Sequence, residues 1–205
     1  MVGLGSRILK FGISFMSDIK PWKTLSSEVA FEAGRLKIRK DTCLLPDGTI
    51  IPDFFVREDS DVAIVFCLTK NKEVVLVRQF RQGVGGEGEI TLELPAGLKD
   101  RYDHSIEDTA RRELLEETGY SSETMEQCAA WFASVTGTAR IFVFAARDAD
   151  KVTSPKHNHG EFTEVELAPA AGLAGMIEGG KIKVTSHVAA IYHVLASLGS
   201  SLIYK

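Results

Sequence analysis

Closely spaced cysteine pairs are absent from the 205-residue sequence, whose three cysteines are Cys43, Cys67 and Cys128. An odd number without CxxC spacing excludes a disulfide framework and the usual paired-cysteine zinc sites. Cys67 lies within the apolar run of residues 62–68, where cysteine is ordinary core filler. We therefore expect three reduced thiols, most of them buried, in a cytoplasmic protein.

The sequence also lacks an apolar run of the roughly 18 residues needed to cross a bilayer, which excludes a membrane-spanning helix. The first fifteen residues carry Arg7 and Lys10 among apolar residues and could form a short amphipathic or targeting segment. That apolar stretch is interrupted, however, and no small-residue cleavage site follows it. We predict a poorly ordered leader over residues 1–16 and no membrane partner, with Met16 as an alternative start.

An excess of positive charge is the third missing feature, because 24 Lys and Arg face 28 Asp and Glu and the net charge is -4. Binding to the phosphate backbone of DNA or RNA requires a clustered cationic surface, so a polymeric nucleic acid is excluded as a partner. With 44% hydrophobic and 25% charged residues, the chain is long enough for one sizeable core and a small appended unit.

Short β-like runs broken by turns fill the segment from Phe31 to Val56. They cover residues 35–39 and 42–45, then the turn at residues 46–48, and the chain from Ile50 onward. We predict a small N-terminal β-sheet subdomain over residues 17–58, followed by a main domain over residues 59–205.

The main domain opens with two apolar runs that a polar tip joins as a hairpin. The glycines between residues 83 and 88 are spaced neither as GxGxxG opening a helix nor as GxxxxGK[ST], which excludes dinucleotide-binding and P-loop sites. Strands are predicted at residues 62–68, 73–80, 90–94, 129–135, 140–146 and 163–167, and two terminal helices at residues 169–178 and 186–198.

The clearest helix covers residues 106–118, with Ser105 as its N-cap and Gly119 placed for the C-terminal turn. Three carboxylates on it fall within an arc of roughly 100°, because residues i, i+3 and i+4 share a helix face. These like charges repel, so we expect a cation to compensate them. Oxygen ligands of this kind suit Mg²⁺ or Mn²⁺, and the alternative is a solvated acidic face. The three carboxylates are Glu113, Glu116 and Glu117.

The region around this helix resembles the Nudix box, G-x5-E-x7-R-E-U-x-E-E-x-G-U, where U is a bulky aliphatic residue or similar. Two further stretches, residues 94–97 and 78–81, resemble the ADP-ribose and nucleotide-sugar branch of that family. The resemblance implies an α/β fold, an α/β/α sandwich with a mixed sheet, and a homodimer assembled with help from the N-terminal sheet. The matching residues are Gly97, Arg112, Glu113, Leu114, Glu116, Glu117, Gly119 and Tyr120.

The start of the box differs from the pattern. Between Gly97 and Arg112 this chain has one residue more, and counting back from Arg112 places His104 at the position of the first glutamate. In the family that glutamate mainly braces the loop against the helix. We expect that Asp103 could replace it with a small shift of the loop.

The resemblance implies a mechanism of magnesium-dependent hydrolysis. Magnesium held by Glu113, Glu116, Glu117 and the carbonyl of Ala96 would bridge a diphosphate and activate a water for in-line attack on phosphorus. Manganese is a possible substitute. A general base or further ligand comes from an acidic loop, for which the candidates are Glu161, favoured because it precedes the strand, and Glu164.

Other polar and aromatic residues have competing interpretations. Arg78 and Arg81, at the end of a strand, could bind phosphate or ribose, or form surface salt bridges. His157 and His159 could suggest zinc but are more typical of a solvated loop. The aromatic pair at residues 131–132 could stack on a base, although aromatics in β-like runs usually belong to the core.

The resemblance favours ADP-ribose as the substrate, with AMP and ribose 5-phosphate as the products. Family members specific for ADP-ribose carry a Ser-Pro-Gly-like turn after the box, whereas residues 134–138 here contain no proline. GDP-mannose, UDP-glucose and dinucleoside compounds therefore stay open as alternatives. A non-catalytic regulatory module that binds a nucleotide is a hypothesis of a different class, and three mutually repelling carboxylates argue against it.

Overall fold

A three-stranded antiparallel sheet comes first in the computed structural model, which describes residues 19–156 and 162–198. Its strands are β1 (Lys23–Ala33), β2 (Leu36–Leu44) and β3 (Ile50–Glu58). The tight turns between them use Gly34 and Gly48 at φ 59° and 90°, where a side chain would be strained. This is the small N-terminal sheet that the sequence predicts, and the leader proposed for residues 1–16 lies outside the described residues.

The first strand of this sheet is exposed along its whole length. Leu25, Val29 and Phe31 each leave about half of their surface in solvent, at 47%, 54% and 52%. Strand β1 is missing from our sequence prediction because apolar and polar residues alternate only weakly along it and few turn-forming residues bound it. An apolar surface of this kind is typical of a face that packs against something else.

In the described part of the chain, the main sheet has eight strands and combines parallel with antiparallel pairing. The strands are β4 (Val62–Thr69), β5 (Glu73–Arg81), β6 (Glu89–Glu93), β7 (Ala96–Leu98), β8 (Tyr120–Ser121), β9 (Glu126–Phe132), β10 (Arg140–Lys151) and β11 (Thr163–Pro169). Neighbouring strands follow the order β11-β5-β4-β10-β8, with β6 beside β5, β7 beside β4 and β9 beside β10; β4 and β10 are parallel. This arrangement confirms the mixed sheet that the resemblance implies.

Among the residues that the structure describes, three helices cover the two faces of this sheet: α1 (Ile106–Thr118), α2 (Leu173–Glu178) and α3 (Thr185–Leu198). A short 3-10 turn occupies the first residues of the helix that we predict at 169–178. Helix α1 packs on one face, whereas α2 and α3 pack on the other. Within the described ranges, no helix is long and apolar enough to cross a membrane.

Strand β4 lies at the centre of the sandwich and contributes side chains to both layers of the core. Ile64 and Phe66 face α3, whereas Val65 and Cys67 face α1, and all four are essentially buried. A strand covered on both faces reads as a continuous apolar run, which is why the sequence shows no alternation here. Burial raises the pKa of the Cys67 thiol to about 12, and all three cysteines are unpaired thiols.

Strands β9 and β10 are among the elements whose bounds differ from the prediction. The strand that we predict at residues 129–135 spans Glu126–Phe132, because residues 134–138 form a turn in which the amide of Thr136 donates to Ser134 Oγ at 3.0 Å. Strand β10 continues past residue 146 to Lys151. It does so through an irregularity at Asp148, which has φ 52°, where the polar sequence predicts a loop.

Candidate active site

Helix α1 begins and ends where its capping residues predict. Ser105 Oγ accepts from the amide of Asp108, and the Asp108 carboxylate accepts from the amide of Ser105, so both halves of a capping box are present. Gly119 ends the helix in the left-handed region at φ 74°. Glu116 and Glu117 lie in the last turn, at the end of the helix dipole that disfavours anions. This turn contains no basic residue that could offset their charge.

Arg112 supplies the cation that the acidic helix face requires. Its Nη1 donates to Glu113 Oε1 at 2.7 Å and to Glu116 Oε2 at 3.2 Å. The remainder of the guanidinium bonds to Asp103 and to the carbonyl of Leu98. One arginine therefore both offsets the repulsion between the carboxylates and ties the helix to the preceding loop.

Asp103 takes the bracing position that the box assigns to its first glutamate. Its carboxylate pairs with Arg112 through two bonds of 3.1 and 3.0 Å, and also accepts from Thr109 Oγ1 and the amide of Asp100. The Arg112 guanidinium holds the pKa of this carboxyl well below its usual range. His104 is exposed, so the extra loop residue shifts the bracing role by one position.

Close packing brings strand β7 against the acidic face of α1. A Cβ atom added to Gly97 would overlap the carboxylate of Glu113, so the glycine lets this side chain lie close against the strand. The amide of Ala96 donates to Glu117 Oε2 at 3.0 Å. Backbone and carboxylates thus meet at one edge of the sheet, which is the combination that we predict for a metal site.

A cleft of about 780 Å³ opens over this edge. It brings together five of the residues predicted from the sequence: Arg81, Ala96, Glu113, Glu116 and Glu117. Cationic side chains also line it, among them Arg35 from the β1–β2 turn and Lys99. Charge of both signs in one cleft suits an anionic ligand. The basic side chains can contact it directly, and the acidic side chains can bind it through metal cations.

The carboxylates are turned toward protein donors in this conformation. Among the residues that the structure describes, no three acidic, histidine or cysteine side chains converge closely enough to hold a metal ion. Glu113 and Glu116 are engaged by Arg112, and Glu117 by the amide of Ala96. The donor set is nevertheless made of hard oxygens in one cleft, which suits Mg²⁺ or Mn²⁺ once the side chains rotate from these partners.

Sequence reasoning missed a buried carboxylate next to this cleft. Glu93 is 1% exposed and accepts from both Nε and Nη2 of Arg81, at 3.0 and 2.7 Å. His187 Nε2 lies 3.2 Å from the Oε2 atom of Glu93. Burial alone would raise the pKa of Glu93, but hydrogen bonds from His187, Arg81 and Thr91 outweigh it and hold that pKa well below its usual range. A glutamate at an inward position of a strand was the available signal.

Arg78 and Glu164 do not reach the acidic cleft. They line a second cleft of about 430 Å³, together with Phe80 and Phe162. Arg78 Nη2 pairs there with Glu166 at 2.5 Å, which is the salt-bridge alternative. Glu161, His157 and His159 lie outside the described residues.

The aromatic candidates separate from each other. Trp131 packs edge-on against His193, with ring centroids 5.4 Å apart, and contacts the core. Phe132 is 80% exposed, and neither ring lines the acidic cleft. The turn at residues 134–138 lies against β3, because the carbonyl of Thr136 accepts from the amide of Arg57 at 2.9 Å.

Comparisons with known proteins match both parts of the chain. The NUDIX domain model matches residues 59–188, and the model of the nucleoside diphosphate sugar hydrolase N-terminal domain matches residues 22–56. A methanol dehydrogenase activator of Bacillus methanolicus is 36% identical over 132 residues, covering 63% of this chain and 68% of that protein.

Two further relatives are named as pyrophosphatases. An ADP-ribose pyrophosphatase of Bacillus subtilis is 28% identical over 145 residues, with 70% of this chain and 76% of that protein covered. A GDP-mannose pyrophosphatase of Pectobacterium atrosepticum is 29% identical over 151 residues, with 71% and 77% covered. The crystal structure of an ADP compounds hydrolase superposes with a TM-score of 0.76 at 18% identity, covering 89% of this chain and 96% of that one, which shows the shared fold.

Proposed function

Because the chain belongs to the Nudix family, as a hydrolase of the ADP-ribose and GDP-mannose pyrophosphatase type, we propose that it uses Mg²⁺ to split ADP-ribose into AMP and ribose 5-phosphate. The observation that carries this proposal is the meeting of three glutamates with the edge of β7 in one cleft. The cleft is large enough for a nucleoside diphosphate linked to a sugar.

Each residue of the acidic edge has a role in this proposal. Glu113, Glu116 and Glu117, with the carbonyl of Ala96, would hold Mg²⁺. Bound magnesium supplies charge neutralisation at the diphosphate and activation of a water. Arg112 holds Glu113 and Glu116 side by side on the helix face. Catalysis then depends mainly on positioning and electrostatics.

Glu161 is the proposed general base, which takes a proton from the attacking water. Glu164, the other candidate, lines the second cleft rather than the acidic one, which supports the choice of Glu161.

GDP-mannose is the second candidate substrate. Relatives named for ADP-ribose and for GDP-mannose match this chain at nearly the same identity, 28% and 29%. Arg81 lines the cleft and is proposed to contact a phosphate or the ribose of either compound. We retain ADP-ribose as the favoured substrate and expect the assay below to decide between the two.

A homodimer is proposed from the N-terminal sheet. Strand β1 exposes Leu25, Val29 and Phe31, and a second copy of the chain would remove this apolar surface from water. Arg35, at the end of the same strand hairpin, lines the acidic cleft. Assembly through this sheet would therefore also fix one wall of the cleft.

The decisive experiment is a substrate panel with matched variants. ADP-ribose, GDP-mannose, UDP-glucose and a dinucleoside diphosphate are incubated with magnesium or with EDTA, and the products are identified by chromatography. We expect magnesium-dependent turnover by the wild type and a loss of about 100-fold or more in Glu117→Gln. Glu107→Gln, the same change in the first turn of α1, should retain wild-type activity. Absence of magnesium-dependent turnover across the panel would contradict the proposed activity.

A further inference from the structure

The carboxylate of Glu93 is saturated by donors from three directions. Its Oε1 accepts from Arg81 Nε at 3.0 Å and from Thr91 Oγ1 at 2.5 Å. Its Oε2 accepts from Arg81 Nη2 at 2.7 Å and lies 3.2 Å from His187 Nε2. An ionised carboxylate has about four acceptor sites, and all of them are used here.

His187 holds two consecutive residues of the chain at once. The side chain is buried, and its Nδ1 accepts from the amide of Leu94 at 3.1 Å. Because Nδ1 accepts, the ring hydrogen is on Nε2, which donates to Glu93. The imidazole therefore fixes both the carboxylate of Glu93 and the backbone that follows it.

This histidine comes from the side of the sheet opposite to the acidic helix. It lies in the first turn of α3, which packs on the face away from α1. Arg81 nevertheless reaches the acidic cleft, with 41% of its side chain exposed. The direction of its guanidinium is thus set by a chain of contacts that begins on the far layer of the sandwich.

Stability alone does not account for this arrangement. Apolar residues of the same volume often stabilise a protein as well as a buried ion pair does. The two parallel bonds between Arg81 and Glu93 do, however, hold the guanidinium in one geometry. A third partner on the carboxylate makes that geometry more rigid, which matters when the arginine must meet a ligand.

We propose that His187 is a positioning residue for substrate binding, which fixes the guanidinium of Arg81 in the cleft by way of Glu93. The inference rests on the proposed function, in which Arg81 contacts the phosphate or ribose of a nucleoside diphosphate sugar. The proposal gives α3 a role in substrate recognition, although α3 lies outside both the acidic helix and the Nudix box.

The test compares His187→Leu with His187→Gln, whose amide keeps one donor and one acceptor. We expect His187→Leu to raise KM for the preferred substrate about 10- to 100-fold while kcat changes little, because binding before and at the transition state weakens equally. His187→Gln should stay within a few-fold of wild type. His193→Leu, the same change on the same helix, is the matched control and should leave KM unaltered.

A double-mutant cycle separates this route from a general loss of structure. If His187 acts by way of Arg81, the variant Arg81→Ala with His187→Leu should have the KM of Arg81→Ala alone, within about twofold. Multiplied effects on KM would overturn the proposal. So would a shift in the magnesium concentration for half-maximal activity at unchanged KM, because that result would place the effect at Ala96.

A measurement on the wild type keeps the proposal testable if His187→Leu does not fold. Nitrogen NMR of histidine-labelled protein should show His187 with a protonated Nε2 and an unprotonated Nδ1. The opposite tautomer would overturn the proposal, because Nε2 could then not donate to Glu93. A wild type without magnesium-dependent turnover would instead contradict the proposed function. The NMR result would still decide whether His187 donates to Glu93.

Discussion

The carboxylate of Glu113 occupies the space that a side chain at Gly97 would need. We predict that Gly97→Ala displaces this carboxylate and lowers activity at least 10-fold, with a higher magnesium requirement. Magnesium titration of the hydrolysis rate measures both effects. Gly83→Ala is the control, since nothing lies within 4 Å of an added Cβ there. Equal magnesium titrations for the two variants would contradict the prediction.

Asp103 and Glu93 make the stability of the protein sensitive to acid. Both carboxyls have a pKa well below the usual range in the folded chain, against about 4 when unfolded. Their contribution is fully present above the unfolded pKa and is lost as the pH falls toward the folded one. We predict that Asp103→Asn costs about 1–3 kcal/mol at pH 7, and that the difference from wild type shrinks below about pH 4.

Urea unfolding at several pH values tests this prediction. His104→Ala changes the neighbouring exposed residue and should follow the wild-type curve throughout. A constant difference between Asp103→Asn and wild type down to pH 3 would show that the Asp103–Arg112 pair does not set the acid dependence.

Among the elements, α1 combines good capping with unfavourable charge. Its capping box and terminal glycine stabilise the helix, whereas Glu116 and Glu117 lie at its negative end without a basic residue in the last turn. We predict that magnesium raises the thermal midpoint of the wild type and that EDTA removes the increase, because a ligand bound only by the folded state stabilises it. Differential scanning calorimetry of wild type, Glu116→Gln and Glu107→Gln measures this. An equal magnesium-dependent increase in all three would contradict the proposed ligand set.

The same helix shows what local sequence can predict. Its ends, its acidic face and its compensating cation follow from residues at most nine apart, such as Asp103 and Arg112. Strand β1 was missed because its residues gain their order from pairing with β2 rather than from their own pattern. The contact between Leu94 and His187 joins residues 93 positions apart, and no periodicity in one sequence indicates such a pair.

For the whole molecule, the exposed face of the N-terminal sheet is the feature with the largest consequence. Phe31 is 52% exposed on β1, and the proposed dimer would cover it. We predict that Phe31→Asp yields a monomer by light scattering, because an uncompensated carboxylate cannot be buried at an apolar interface. Phe132→Asp alters a phenylalanine that is 80% exposed on the main domain and should leave the mass of the wild type unchanged. A monomeric wild type would end the dimer proposal.

The small N-terminal sheet was the part of the molecule that the sequence pattern could indicate, because short β-like runs and the turn at residues 46–48 precede the long apolar run at residues 62–68 that begins the main sheet. The placement of α3 against β4 could not be predicted, since its apolar surface fits any buried face. Arg78 shows the same limit at the site. Its position beside Arg81 says nothing about which cleft it lines, and the structure assigns the two arginines to different clefts.

Cys67 provides the protein with an intrinsic sensor of unfolding. Its thiol is completely enclosed in the core layer between β4 and α1, and burial raises its pKa to about 12, so alkylating reagents and oxidants can reach it only when this part of the core opens. The rate at which the Cys67 thiol is modified therefore measures how often this part of the native structure opens. No added label is needed for that measurement.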